Sequence, residues 1–147
     1  MTFFISYKYT GVDKEVLEST VLRLVNKIKE CGYEVFCNLE KVEYYTKHDY
    51  TTGQIMHDCF REMTHCDYHI TFVAPDSVIG EGMMIELGFA VGLFIPRLLI
   101  MPMNFKSISA KAVATDVLMY DTMDTLLASL GSVLNSITTK KIDKSEC

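Results

Sequence analysis

The chain lacks any apolar run near the ~18–20 residues that a membrane-spanning helix needs, so no membrane partner is expected. Concentrated basic charge is missing too. Fourteen Lys and Arg stand against nineteen Asp and Glu, the net charge is −5, and Lys140-Lys141 is a lone basic pair. Phosphate backbones are bound by clustered Lys and Arg, and nucleic acid is therefore not an expected partner. The five cysteines, Cys31, Cys37, Cys59, Cys66 and Cys147, are odd in number and contain no C-x-x-C pair. That pattern suits reduced thiols better than a disulfide framework. No charged leader segment precedes the first apolar stretch, so a cytoplasmic location is expected. There is no internal repeat and no low-complexity tract.

What is present is a chain of 147 residues that is 49% hydrophobic, enough for one domain with a full core. The run 2–7 is rich in β-formers and reads as a buried strand. Asp13 is placed to cap a helix whose apolar stripe is Leu17, Val21, Leu24, Val25 and Ile28, ending at Gly32. Strand character resumes over 33–37. The stretch 38–50 has no period, carries Tyr44, Tyr45 and Tyr50, and reads as a long mobile loop, a length that suggests a lid or binding segment. Thr51 or Thr52 caps the next helix, with Ile55, Met56, Cys59, Phe60 and Met63 on its stripe. A third strand over 67–74, an apolar helix containing Glu86 and stopped by Pro96, a strand over 97–101 and a strand over 117–120 follow. A last helix starts at Asp121 or Thr122, and 138–147 reads as a charged, flexible tail.

Strands and helices that alternate with short links form βαβ units. The expected fold is α/β, a flavodoxin-like or Rossmann-like three-layer sandwich whose five-stranded parallel sheet has the order 2-1-3-4-5. Ligands of such sheets bind beyond the strand carboxyl ends, at the switch point between strands 1 and 3. That geometry collects Ser6, Tyr7 and Lys8 after strand 1, Asn38 after strand 2, Asp76, Ser77, Gly80, Gly82 and Met83 after strand 3, and Asn104 after strand 4. Glu86 falls inside the ring. An acid in the first turns of an apolar helix has no packing use, and two glycines ahead of it let backbone N–H groups approach a ligand. Cys59, His65, Cys66 and His69 crowd together, but they straddle a helix stripe, a helix end and a strand. A tetrahedral metal site is not expected from them.

The string Gly82-x-x-x-Glu86-Leu87-Gly88-Phe89-Ala90, after Cys66-Asp67-Tyr68-His69-Ile70-Thr71-Phe72-Val73-Ala74 and an opening Phe3-Phe4-Ile5-Ser6-Tyr7, resembles the nucleoside 2-deoxyribosyltransferase superfamily, which includes nucleotide N-hydrolases. The resemblance covers roughly residues 2–120 and implies one deoxyribosyltransferase-like domain over 1–137. It also implies Glu86 as the nucleophile at the sugar anomeric carbon, a nucleoside, nucleotide or NAD-type substrate, no cofactor, and a homodimer or larger homo-oligomer. The chain departs from the family at two positions. Gly80 stands six residues before the acid, where relatives carry Asp or Ser, and Asp76 or Ser77 is the candidate substitute. Cys59 stands where many relatives carry Asp, with Asp58 adjacent but turned about 100° away on a helix. The opening residues and the placement of Glu86 are also similar to TIR domains, several of which cleave NAD. The alternative reading is therefore a TIR-like NAD-cleaving or nucleotide-binding interaction module.

Overall fold

The structure is a computed structural model that describes residues 1–145. Five strands, β1 (Thr2–Tyr7), β2 (Glu34–Phe36), β3 (Tyr68–Phe72), β4 (Arg97–Pro102) and β5 (Asp116–Tyr120), form one sheet of order β2-β1-β3-β4-β5. Every neighbouring pair is parallel. The expected order and strand direction are therefore found. Parallel neighbours need crossovers, and the helices α1 (Lys14–Leu17), α2 (Arg23–Glu30), α3 (Val42–Lys47), α4 (Thr52–Met63), α5 (Glu81–Gly92), α6 (Ile108–Val113) and α7 (Met123–Ser145) supply them.

Alternation along β1 sorts the two faces. Phe3, Ile5 and Tyr7 pack with Leu17, Val21, Leu24, Leu126 and Leu130 in the core under α1, α2 and α7. Phe4 turns the other way, onto Cys59, Met63 and Ala90 of α4 and α5. A third cluster joins Val73, Met83, Leu87, Leu99, Met101 and Ala110. Helices on both faces of the sheet make the three layers.

Most caps follow the sequence. Thr51 accepts from the Gln54 N–H while the Gln54 side chain returns to the Thr51 N–H, a reciprocal box. Thr122 and Thr125 exchange the same kind of bonds at the start of α7. Gly32, at φ 87°, ends the first helical run as expected. Asp13 occupies the N-cap position of α1 but makes no side-chain capping bond. Between α1 and α2 the chain passes through a π-helical turn, Glu18–Leu22, in which Thr20 Oγ1 donates to the Val16 carbonyl at 2.6 Å.

Three expectations are corrected. The stretch 38–50 is not a structureless loop: a 3₁₀ turn, Asn38–Lys41, leads into α3. Its order comes from side chains that a periodicity search does not score. Tyr45 is buried, packs its ring at a tilt against Tyr50 and donates to Asp58 Oδ2 at 2.6 Å. Asp58 also holds Lys41 at 2.9 Å and pairs with Arg61. Second, α5 stops before Pro96, through Phe94 in the left-handed region at φ 58°, where glycine is the usual residue. Third, helix α7 runs past Ile137 to Ser145, into the span assigned to the tail. Thr138 and Thr139 hydroxyls bond the Asn135 carbonyl and no Gly or Pro breaks the helix there. Residues 146–147 of that tail, and with them Cys147, lie outside the described residues.

The Asp58 network makes α3 dependent on one phenol. Tyr45→Phe is expected to lower stability by about 1.5–3 kcal/mol, the usual worth of a hydrogen bond to a charged group, and to speed amide exchange in α3. An unchanged urea midpoint would show that the other partners of Asp58 carry α3 alone.

Candidate active site

Residue 86 begins as a steric problem. α5 must lay Met83, Leu87 and Ala90 against the sheet, and the same face carries Glu86, which is 7% exposed. Its carboxyl is met from β1 by Ser6, whose Oγ donates to Oε2, and the Cys59 thiol on α4 also favours its charged form. Burial nevertheless dominates: the Glu86 carboxyl is pushed up to about 7, with Ser6 and Cys59 pulling the other way. Among the described residues no Lys or Arg is in ion-pair range of it. The groups around it are neutral at pH 7. Burial, reinforced by the nearby acid, pushes Cys59 up to about 12, and burial with the charge of Glu40 and Glu86 pushes Cys37 to about 12. The Tyr7 phenol is raised by burial first, then by Cys37, Tyr9, Glu86 and Cys59.

Two cavities open at the carboxyl ends of the strands. The first, about 320 Å³, is walled by Tyr7, Tyr9, Asn38, Val42, Tyr45, Thr46, Asp49, Tyr50 and Ile55. The second, about 430 Å³, lies toward α1 and takes in Tyr7, Lys8, Asp13, Thr20, Asp76 and Ser77. Tyr7 belongs to both. Its hydroxyl and the Oδ1 of Asn38 are buried with no hydrogen-bond partner in the chain, unusual for polar atoms at such cost.

The expected ring is thus divided. Ser6, Tyr7, Asn38 and Glu86 come together, whereas Lys8, Asp76 and Ser77 line the second cavity. Gly80 sits against Lys8, so that a Cβ there would meet Lys8 Cγ at 3.6 Å. Asp76 itself is held at φ 55° in the turn after β3. Glu86 lines neither cavity. It is buried on the face of α5 that packs toward the sheet, beside Ser6. Met83 is only 2% exposed and fills the core, with its sulfur accepting from the Gly80 N–H, so it does not face a cleft. Gly82 opens to empty space on α5 and Asn104 is exposed in the turn after β4. Asp58 points to Tyr45, Lys41 and Arg61, not to Glu86. Burial would raise its carboxyl, but those three partners hold it below the usual range. Cys59, Cys37, Tyr45, Tyr50 and Ile55 were not singled out as site residues from sequence. The signals were three tyrosines in one unpatterned stretch and a cysteine at a position where relatives carry an acid.

No family model matches the chain, and no curated protein matches it. Among solved structures it is similar to the CMP N-glycosidase BcmB of Clostridium botulinum, at 19% identity and a TM-score of 0.57, over 88% of this chain and 97% of that one. It is also similar to a 2-deoxyribosyltransferase from the psychrotolerant bacterium Bacillus psychrosaccharolyticus, at 14% identity and a TM-score of 0.64, over 86% and 90%. The chain therefore has the fold to which its sequence resemblance pointed.

The raised carboxyl has a measurable consequence for stability. Between pH 4.5 and about 7 the folded chain keeps the Glu86 proton while the unfolded chain releases it. By linkage, this residue's contribution falls as pH rises through that window and stays low above it. His69, buried and pushed down to about 3 by its burial first and by Arg97, acts in the opposite sense below pH 6.5. The comparison with Glu86→Gln cancels His69. Above pH 7.5 the variant should be more stable by on the order of 3 kcal/mol, and the gap should close by pH 4.5. A Tm difference independent of pH would contradict the raised carboxyl.

Proposed function

We propose that the protein cleaves the N-glycosidic bond of a nucleoside or nucleotide, with Glu86 as nucleophile at the sugar anomeric carbon. The observation that carries this reading is the setting of Glu86: a carboxyl at the strand carboxyl ends, shielded from water, held by a hydroxyl and a thiol, and poised near neutrality. Structural ion pairs do not have this form, since they bring a cation. As the bond from C1′ to the base nitrogen breaks, its electron pair leaves on the base and the sugar gains positive charge. A carboxylate beside C1′ stabilises that charge and forms the ester bond. Water or a second base then displaces the carboxylate. With water, the proton it gives up ends on the base.

The first cavity suits the base, because four tyrosines offer flat apolar faces. Lys8 and Ser77 in the second suit a phosphate or the far end of the sugar. Both fit a substrate that crosses the Tyr7–Asn38 wall and brings C1′ to Glu86, which requires that wall to open on binding.

A panel of deoxynucleosides, deoxynucleotides, ribonucleotides and NAD, followed for free base or nicotinamide, tests the reading. Glu86→Gln should lose about three powers of ten in turnover, about 4 kcal/mol of barrier, while ligand binding persists. Because the carboxylate is the reactive form, wild-type kcat/KM should rise with pH through about 7. Near wild-type turnover by Glu86→Gln would remove Glu86 from the mechanism. If the native protein cleaves nothing in the panel yet a nucleotide raises its Tm, the chain is a nucleotide-binding module instead.

The same reading includes self-association in a reducing cytoplasm, in keeping with the four free cysteines among the described residues. Ile85 on α5 is 54% exposed, and Phe94 just after α5 and Ile108 at the start of α6 are each 90% exposed, large apolar side chains left open to a partner. A second copy covering α5 would also explain why Phe rather than Gly occupies the left-handed position 94. Phe94→Asp should then shift the mass measured by light scattering to that of one chain. A native protein of single-chain mass at micromolar concentration would oppose the idea.

A further inference from the structure

Beyond Ser6, the polar contacts of Glu86 form a line toward the first cavity. Cys59 faces the carboxyl, Asn38 Nδ2 stands 3.6 Å from Cys59 Sγ, and Asn38 Oδ1 is buried without a partner in a residue of the cavity wall. Proton counting gives the line a direction. A carboxylate only accepts, and a thiol has one hydrogen to give. If Cys59 donates to Glu86, its sulfur is left as an acceptor, which Asn38 fills with an N–H. The amide oxygen must then face the other way. If the amide turns over, Oδ1 takes the S–H for itself and Glu86 keeps Ser6 as its donor.

We propose that Cys59 and Asn38 form a two-position relay that positions Glu86 and selects, at the cavity wall, heterocycles bearing an amino or imino N–H. The ligand chemistry rests on the N-glycosidase reading, but the relay itself does not depend on turnover. A ring that presents an N–H to Oδ1 satisfies the buried acceptor and holds the amide in the orientation that leaves the thiol on Glu86. A ring that presents only acceptors pairs with Nδ2 instead and turns the amide, which withdraws the thiol from the carboxylate. Cys59 is thus a positioning residue. The titratable groups facing Glu86 are Tyr7 from β1, Cys37 from the end of β2 and Cys59 from α4, all neutral at pH 7. The relay acts through hydrogen-bond donation rather than through a second charge.

The test is the titration of the Glu86 carboxyl, followed by carbon NMR in glutamate-labelled protein and assigned by its loss in Glu86→Gln. Cys59→Val keeps the volume and removes the donor, and should raise the midpoint by about half to one pH unit. Cys59→Ser keeps a donor and should restore it. Cys59→Ala serves if the valine variant does not fold. An unmoved midpoint in Cys59→Val, or a serine variant that behaves like valine, overturns the relay. For the cavity arm, 1-methylcytosine should bind wild type at least about tenfold more tightly than 1,N4,N4-trimethylcytosine, which has no N–H, one hydrogen bond's worth of selectivity, and Asn38→Leu should erase the preference. Equal binding of the two bases by wild type overturns the selection. Because the midpoints need no substrate, a shift in Cys59→Val with no cleavage by the native protein would sink the glycosidase reading and keep the relay. Cleavage without the shift would do the reverse.

Discussion

A carboxyl group placed where water does not reach is the constraint on which the site depends. Only atoms from three separate elements make it tolerable: Ser6 at the end of β1, Cys59 on α4, and the α5 backbone that carries the acid itself. Strand register decides whether this works. In the observed pairing Ser6 stands opposite Thr71 and turns toward α4 and α5, while Tyr7 stands opposite Phe72 and turns toward α1 and α2. Side chains alternate with period two, so a slip of one residue would present a phenol or an isoleucine to Glu86 in place of a hydroxyl. Ser6 and Cys59 do not restore the ordinary carboxylate range. Desolvation exceeds what a hydroxyl and a thiol return, and the acid remains half-protonated near neutrality.

Tyr7 carries a second division of labour. It is the residue common to both cavities, and its hydroxyl has no partner. One side of it is aromatic and nearly uncharged. The other holds Lys8 and the strained turn at Asp76. A bipartite molecule with a flat ring at one end and an anionic or polyhydroxylated part at the other matches that pair of environments.

Much of this was legible in the sequence, for physical reasons that differ by element. The strands and α4, α5 and α7 showed themselves because burial imposes period two or period 3.6 on apolar residues, and the order of the sheet followed from crossover rules. Glu86 stood out as an acid in an apolar stretch, and Ser6 as a hydroxyl closing a strand. Helix α3 did not show, because it is organised by Tyr45 and Lys41 converging on Asp58, a contact between residues 13 and 17 positions apart that no local pattern contains. Met83 was misplaced for the opposite reason: its position in α5 suits both cleft and core, and the rotation of the helix, set by Leu87 and Ala90, sends it to the core. Cys59 was seen as an absence of aspartate. Its nearness to Glu86 emerges only when α4 is laid beside α5.

Helix α3 lies outside the sheet, and the exposed rim residues Thr46, within it, and Asp49, just after it, share no hydrogen bond with Ser6, Cys59 or Glu86. Changes at sites without shared partners combine almost additively. That rim of the aromatic cavity is therefore free to drift under selection while the setting of the acid stays constant. A lineage built on this scaffold can explore new ligands by altering one short helix, without re-evolving the chemistry behind it.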